Sequence, residues 1–311
     1  MIVEVKASAR LHLGLTELGG HFGRVYGGLG VAISQPTTHV VAETSDTLEV
    51  EGLEKPYVGR VVSKLEEKLN RRLFGKVKVV ESIPAHVGLG SRTQLSLSVA
   101  TAVCRINGLD LSVKQLAEAL GRGGISGVGT AVFERGGFVV DMPKKIGGGT
   151  ASSALRIDFP EDWAFTVAYN TREQGPSDEQ ETYLFSRLPR MDENRCAAIA
   201  HILIAKLLPA LTEKDAHEFG ESLTEIQKHV GGHFSSVQGG LFRDPEALEA
   251  LAERGALGVG QSSWGPAVYG FFASYRDALD AAKLVGEKLG GGWTVFATKA
   301  KNTGAEILVA P

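Results

Sequence analysis

Three short stretches of the sequence combine glycines, hydroxyls and cations in a way that suits an anionic small molecule. The first is residues 84–100, PAHVGLGSRTQLSLSVA, where a glycine loop joins a strand pattern to a helix pattern. The first amides of a helix lack internal partners and carry the positive end of its dipole, and glycine lets backbone approach an anion closely. The residues predicted to wrap a phosphate are Gly88, Leu89, Gly90, Ser91 and Thr93. The same residues also fit a strand-to-helix turn without a ligand, in which the hydroxyl of Ser91 or Thr93 caps the helix.

Arg92 and Gln94 set this loop apart from a simple phosphate cradle. The spacing is not G-x-x-x-x-G-K-[ST], so a Walker-type nucleotide site is not indicated. A guanidinium at a helix start offers a forked grip on phosphate or carboxylate oxygens. Arg92 and Gln94 are therefore candidate catalytic residues acting on a substrate rich in anionic groups.

The second stretch is residues 258–270, GVGQSSWGPAVYG. It offers hydroxyl and amide donors beside the flat surface of Trp264, which suits an aromatic ring or a sugar face. The substrate-contact candidates here are Gly260, Gln261, Ser262, Ser263 and Trp264. The alternative is a tight turn in which Trp264 fills the domain interface.

The third stretch is residues 8–15, SARLHLGL, in which Arg10 and His12 share one face of a predicted strand. A cation and an imidazole two positions apart can bind an anion and move a proton, so Arg10 and His12 are also candidate catalytic residues, although a strand histidine can equally be structural. Gly28 and Ser126, in two further glycine-rich segments, complete the substrate-contact candidates. In HVGGH, residues 229–233, we expect the glycines to break the helix, which disfavours a metal site there. The sequence leaves the metal ligands unknown.

Composition excludes several classes of protein. At 311 residues the chain is long enough for two domains, with 43% hydrophobic and 22% charged residues. A net charge of −3 without charge runs argues against nucleic acid as a partner. Cys104 and Cys196 sit in apolar settings that fit a reducing compartment rather than a disulfide or a zinc site. Without a signal-peptide pattern or a run of about 18 apolar residues, we expect a cytoplasmic protein that does not bind a membrane.

Periodicity predicts an α+β fold with two domains, residues 1–155 and 156–311. Strands fill residues 2–51, a helix covers 57–72, and the strand at 75–82 leads into the first loop and a helix over 93–106. Ser112 is the predicted N-cap of the next helix, and TAVFE (130–134) and GGFVVD (136–141) are read as strands. Residues 144–154 are a candidate join or mobile flap. A long helical run over 178–230 and a β-α-β tail follow, typical of a ferredoxin-like domain.

The segments ASARLHLG, PAHVGLGS and GVGQSSWGPAVYGFF occur in the order of the three motif regions of the GHMP superfamily, which the chain resembles over most of its length. The resemblance implies an S5-like N-terminal domain, a ferredoxin-like C-terminal domain, an active site between them, and phosphate binding by the first loop. Superfamily kinases often carry an acidic catalytic residue where this chain has Val128, Gly129 and Thr130. Without that carboxylate, no obvious base remains there for a substrate hydroxyl.

Within the superfamily, the chain most resembles the synthase branch that makes β-ribofuranosylaminobenzene 5′-phosphate in methanopterin biosynthesis. Four segments carry this resemblance: RLHLGL, GLGSRTQ, residues 122–141 and GQSSWGPAVYG. That resemblance implies condensation of 5-phospho-α-D-ribose 1-diphosphate (PRPP) with 4-aminobenzoate, releasing CO2 and diphosphate. It also implies Mg2+ held mainly through the substrate diphosphate, with no PLP, NAD or ATP, and we expect a homodimer. An ATP-dependent GHMP small-molecule kinase and a non-catalytic GHMP-fold ligand sensor are the alternatives.

Overall fold

In the computed structural model, which describes residues 1–149 and 154–311, the first half of the chain builds a sheet around one long hairpin. Strands β1 (Ile2–Glu17) and β2 (Arg24–Glu43) form this hairpin and pair antiparallel, with irregularities near Ser8 and His12. The elements that follow are β3 (Leu48–Gly52), α1 (Lys55–Leu69), β4 (Gly75–Glu81), α2 (Ser91–Ile106), α3 (Val113–Leu120), α4 (Val128–Arg135), β5 (Phe138–Asp141), β6 (Lys144–Lys145) and β7 (Ala154–Ile157).

The second half adds a four-stranded sheet of order β11-β8-β10-β9 with helices around it. Its elements are β8 (Ala164–Asn170), α5 (Asp178–Arg187), α6 (Glu193–Ile202), a π-helical turn (Leu203–Leu207), α7 (Leu208–Glu213), α8 (Ala216–Gln238), α9 (Pro245–Glu253), β9 (Gly258–Gln261), β10 (Val268–Phe272), α10 (Tyr275–Leu289), β11 (Trp293–Lys299) and β12 (Glu306–Ala310). The predicted α+β fold is confirmed, and the described strands form two sheets. Strands β7 and β12 both pair within the first sheet, although the predicted second domain begins inside β7 and includes β12.

The alternating burial of β1 decides which of its side chains can face a ligand. Its apolar residues at odd positions are all buried: Val3, Val5, Ala7, Ala9, Leu11, Leu13 and Leu15. From Ala9 onward they join a core that also holds Phe159, Phe219 and Phe271, so the hairpin packs directly on the second half of the chain. Because side chains alternate across a strand, Arg10 and His12 are left for the opposite face.

Two predicted features of the chain are wrong, and in both the tertiary packing explains why. TAVFE lies in helix α4 rather than a strand, with Val128, Ala131 and Val132 buried at helical spacing. HVGGH lies within the continuous helix α8 rather than at its break. A Cβ on Gly231 would lie 2.3 Å from the carbonyl oxygen of Leu241, so that glycine permits a close chain approach instead of ending the helix.

The helical stretch Glu193–Glu213 is, among the described residues, the one long and apolar enough by length and composition to cross a membrane. In the fold it packs against α8 and supplies Ile199, Leu203 and Leu207 to the main core. The predicted flap at 144–154 falls partly on residues 150–153, which lie outside the described residues.

Candidate active site

The glycine loop before α2 is fastened to strand β1. The backbone N–H of Arg10 donates to the Leu89 carbonyl at 3.1 Å, and its guanidinium Nη1 donates to the Gly88 carbonyl at 2.5 Å. Arg10 therefore holds the loop through its backbone and its side chain together. Gly90 is the N-cap of α2 in the left-handed conformation, and no side chain caps the helix there. The first amides of α2 thus remain without a side-chain acceptor.

The serine-tryptophan loop after β9 packs onto the same place. Ser262 Oγ donates to the Gly88 carbonyl at 2.7 Å and accepts the backbone N–H of His12 at 2.9 Å. Gly88 has φ near +93°, and a Cβ on it would lie 2.3 Å from the Ser262 carbonyl oxygen. Only glycine fits there, so the three stretches singled out in the sequence form one contiguous structure.

The glycine-rich segment before α4, residues 121–127, is the third of these segments to contact β1, and it does so at His12. His12 Nε2 lies 3.1 Å from Ser126 Oγ, and a Cβ on Gly28 would come within about 3.2 Å of both atoms. The next amide, of Gly127, donates to Asp141 Oδ2 at 2.6 Å. Gly28 therefore provides room for the His12–Ser126 contact, and Asp141 anchors the segment from behind.

These segments surround a cavity of about 400 Å3, within the range typical of small-molecule sites. The predicted site residues that line it are Arg10, His12, Thr93, Ser126, Gln261, Ser263 and Trp264. Residues from both halves of the chain contribute, since α5 and α8 supply Phe185, Gln227 and Phe234. The structure thus joins residues separated by up to about 250 positions into one concave surface.

One wall of the cavity is cationic. Arg10, Lys64 and Arg122 line it; Lys64 Nζ donates to the Leu120 carbonyl at 2.8 Å, and Arg122 donates to the Tyr57 hydroxyl at 2.5 Å. Arg10 Nε is buried with no hydrogen-bond partner in the described part of the chain. Burial lowers the pKa of Arg10 to about 10, against the opposing charge of Glu181, so it stays cationic at neutral pH. An anion entering here would meet concentrated positive charge.

Burial also displaces the pKa values of two further groups, His12 in the cavity lining and Asp141 behind it. Desolvation, with a smaller contribution from the Arg10 charge, lowers the pKa of His12 to about 3, so its imidazole is neutral at neutral pH. Desolvation raises the pKa of Asp141 to about 6, although the Gly127 hydrogen bond and the charge of Lys144 act in the opposite direction. Asp141 is 1% exposed and is not part of the cavity lining.

Another part of the lining is an aromatic wall. Trp264 packs edge-to-face with Phe185 at a centroid distance of 5.3 Å and with Phe234 at 4.5 Å, and all three line the cavity. Tyr26 supports Phe185 from the hairpin at 5.9 Å. Such an arrangement offers a flat, apolar surface to a planar ligand. Trp264 is 8% exposed, so it also serves as the interface residue of the alternative interpretation.

The other predicted site residues lie behind the cavity surface. Arg92 Nη1 pairs with Glu54 at 2.8 Å, its Nη2 lies 3.2 Å from His86 Nε2, and its guanidinium stacks on Tyr57 at 4.4 Å. Gln94 is fully buried and donates to the Gly129 carbonyl at 2.9 Å, which joins α2 to the first turn of α4. The predicted residues outside the lining are Arg92, Gln94, Gly28, Gly88, Leu89, Gly90, Ser91, Gly260 and Ser262.

The cavity lining also includes five residues that the sequence motifs did not predict: Lys64, Arg122, Glu181, Phe185 and Phe234. The glycine crowding of GRGGISG, residues 121–127, was the available signal for Arg122 and its neighbours, which line the cavity from Gly121 to Ser126. Lys64 lies within an ordinary amphipathic helix pattern, and the residues of α5 and α8 lie on helices with no motif. Only the packing of these helices brings them to the site.

Two family models match the chain. The GHMP kinases N terminal domain matches residues 56–137, and the GHMP kinases C terminal domain matches residues 207–290. Among solved structures, mevalonate diphosphate decarboxylase from Staphylococcus aureus superposes with a TM-score of 0.72 at 15% identity, covering 99% of each chain. Homoserine kinase from Cytophaga hutchinsonii gives 0.71 at 18% identity, covering 99% of this chain and 97% of that one. These structures share the fold, which is that of the GHMP superfamily.

Within this superfamily, the relatives that match nearly the whole chain include two synthases. The beta-ribofuranosylphenol 5′-phosphate synthase of Methanothermobacter thermautotrophicus is 33% identical over 343 residues, covering 99% of this chain and 100% of the relative. That of Archaeoglobus fulgidus is 34% identical over 324 residues with the same coverage. The chain belongs to the GHMP superfamily and, within it, to the family of these synthases. It is an enzyme.

Proposed function

We propose that this enzyme joins PRPP to a para-substituted benzoate, forming a C–C bond between ribose and ring and releasing CO2 and diphosphate. This is a step of methanopterin biosynthesis. The observation that carries the proposal is a single cavity lined by both cations and aromatic rings, in a chain related over its full length to synthases of a ribofuranosylphenol phosphate.

The anionic groups of PRPP match the cationic wall. Arg10, Lys64 and Arg122, with the amides of residues 121–126, provide donors for a diphosphate and a 5-phosphate. As diphosphate departs, negative charge grows on its oxygens and positive charge grows on C1 of the ribose. Donors fixed at the leaving group stabilise that transition state more than the ground state. Arg10 is fixed in this way, because the Gly88 carbonyl holds its Nη1.

The aromatic acid fits against Phe185, Phe234 and Trp264. This wall would hold the ring while the ring carbon that bears the carboxylate faces C1 of the ribose. The electron-donating para substituent makes that carbon nucleophilic. Attack forms the new C–C bond, and the electron pair of the C–CO2 bond then restores aromaticity.

Proton transfer is not required by this sequence of steps, because CO2 leaves in place of a proton. A neutral His12 with a pKa of about 3 fits that chemistry better as a hydrogen-bond partner of Ser126 than as a base. Kinase chemistry would need a base near the start of α4. There the chain has Val128, Gly129 and Thr130, and the nearby Asp141 is buried and bonded to Gly127.

We propose Mg2+ as the metal, held mainly by diphosphate oxygens. Among the described residues that line the cavity, Glu181 is the one carboxylate, which fits a hard cation that takes most of its ligands from substrate and water. Mg2+ bound there would reduce the charge on the leaving group. Glu181 also raises the pKa of Arg10, so the two side chains are close enough to interact.

The para substituent is either a hydroxyl or an amine. The relatives are named for a ribofuranosylphenol product, which corresponds to 4-hydroxybenzoate, whereas the sequence motifs point to 4-aminobenzoate. Both groups donate electrons to the same ring carbon, so both acids suit the chemistry. We propose the class of para-donor benzoates and let the assay rank the two.

The direct test is release of labelled CO2 from carboxyl-labelled 4-hydroxybenzoate and 4-aminobenzoate, each with PRPP and Mg2+. Release that depends on PRPP and gives stoichiometric diphosphate supports the proposal. Benzoate without a para donor is the matched substrate control and should be inert.

Three outcomes contradict the proposal. Folded protein that binds PRPP but releases CO2 from neither acid would indicate a ligand sensor. Consumption of ATP with a metabolite alcohol would indicate a kinase. Equal turnover of unsubstituted benzoate would refute the role of the para donor.

A further inference from the structure

Outside the cavity, Glu17, His21 and Cys196 form a compact group at the far end of the hairpin. Each offers one ligand atom, and these atoms all lie within 4.8 Å of one another. Glu17 ends β1, His21 follows in the hairpin turn, and Cys196 lies in the first turns of α6. The proposed synthase reaction uses none of them.

Hydrogen bonds from the hairpin turn hold the carboxylate of this group in place. Glu17 Oε1 accepts the backbone N–H groups of Gly19 and Gly20, both at 2.8 Å, and lies 3.6 Å from Cys196 Sγ. These amides orient the carboxylate while leaving Oε2 for another partner. Cys196 is 5% exposed, so its sulfur faces inward to the carboxylate.

The histidine ring is also fixed in place. His21 Nε2 lies 2.9 Å from the carbonyl oxygen of Met191, and a carbonyl only accepts, so Nε2 carries the proton and Nδ1 keeps its lone pair. Histidines that bind metals usually make this kind of bond with their other nitrogen. A Cβ on Gly19 would lie 2.0 Å from that ring, so the turn needs glycine to let His21 fold back over Cys196.

We propose that Glu17, His21 and Cys196 bind a borderline transition-metal ion of the Zn2+ class, with water as the fourth ligand. A thiolate, an imidazole and a carboxylate make a donor set for Zn2+ or Co2+ rather than for Mg2+, which prefers oxygen alone. On binding, the metal takes the place of the thiol proton, which leaves to solvent. The separations between the ligand atoms shorten as the side chains close on the ion.

Such an ion would join the hairpin end to α6. The Met191 N–H already donates to the Leu18 carbonyl at 3.3 Å, and Glu17 pairs with Tyr26, whose ring packs on Phe185 of the cavity wall. The metal would therefore brace the hairpin behind that wall. This role is structural and is independent of the proposed synthase reaction.

The test uses the full chain, stripped with a chelator and titrated with Co2+. A thiolate-to-cobalt charge-transfer band is expected at one ion per chain, and Zn2+ should displace it. The band reports a cysteine ligand, so it excludes Co2+ bound through substrate-site oxygens. Cys196→Ser should abolish the band, whereas Cys104→Ser, which removes a buried thiol in a separate core cluster, should keep it.

His21→Ala is the second variant, because its side chain is exposed and its loss should leave the fold intact. Loss of this ligand should weaken Zn2+ binding by at least about tenfold, measured by competition with a chromophoric chelator. The proposal is overturned if the wild type shows no thiolate band at saturating Co2+, if the band survives Cys196→Ser, or if His21→Ala binds Zn2+ as tightly as the wild type.

Discussion

The buried carboxyl of Asp141 gives the most quantitative prediction. Its side chain is 1% exposed and accepts the Gly127 amide at 2.6 Å. Desolvation raises its pKa from 3.8 to about 6 in the folded protein. The folded state therefore binds this proton more tightly than the unfolded state. The stabilisation of the folded state by this proton is fully present below about pH 3.8 and is lost as the pH rises through 6.

The size of the effect follows from the two pKa values. A rise of roughly two units in the pKa of Asp141 corresponds to a contribution of about 3 kcal/mol to the free energy of unfolding at low pH. About 1.4 kcal/mol of this contribution is lost between pH 5 and pH 8. In Asp141→Asn the amide oxygen still accepts the Gly127 N–H and carries no charge. The free energy of unfolding of the variant, relative to that of the wild type, should therefore rise by about 1.4 kcal/mol from pH 5 to pH 8.

Urea denaturation of both proteins at several pH values, without ligand, measures this difference. Other titrating groups are common to the two proteins and cancel. Parallel stability curves for wild type and variant would refute the reasoning, as would a variant that loses relative stability toward pH 8. Either result would mean that the carboxylate is compensated by contacts other than Gly127 and Lys144.

Three further substitutions test the site. Arg10→Ala should lower kcat/KM by roughly tenfold to a thousandfold, for loss of a charged contact of about 1.5–4 kcal/mol, and an unchanged kcat/KM would remove Arg10 from anion binding. Arg92→Ala should instead lower the free energy of unfolding by about 1–2 kcal/mol, because it removes the Glu54 pair and the Tyr57 stack, with kcat/KM within about threefold. A larger kinetic loss would return Arg92 to the catalytic group. Gly88→Ala should destabilise by more than about 1 kcal/mol in thermal melts, because of its positive φ and the Ser262 carbonyl, whereas Gly59→Ala, which meets open space in α1, should be neutral or stabilising.

Much of the fold was readable in the sequence. The N-cap predicted at Ser112 is present, and Gln115 completes a capping box with it. Arg10 and His12, which strand periodicity put on one face, line the same cavity. The prediction of a strand at TAVFE was wrong, because a run of four apolar or small residues fits the two-residue period of a strand and the 3.6-residue period of a helix equally well. In the fold, the glycines before it permit a loop that begins a helix.

The sequence by itself determined local features. It showed glycines where the backbone must pass close to a neighbouring segment, a helix that begins after a glycine loop, and the order of motifs that is typical of the superfamily. Which side chains line the cavity was decided by the tertiary structure. Arg92 stands one residue before Thr93, yet only Thr93 lines the cavity, because α2 directs Arg92 toward Glu54 of the neighbouring segment. Lys64 and Arg122 reach the same cavity as Arg10 only because α1 packs against α2 and α3, while α2 packs on β1. Direction around a helix and proximity between distant segments depend on packing, which no local pattern encodes.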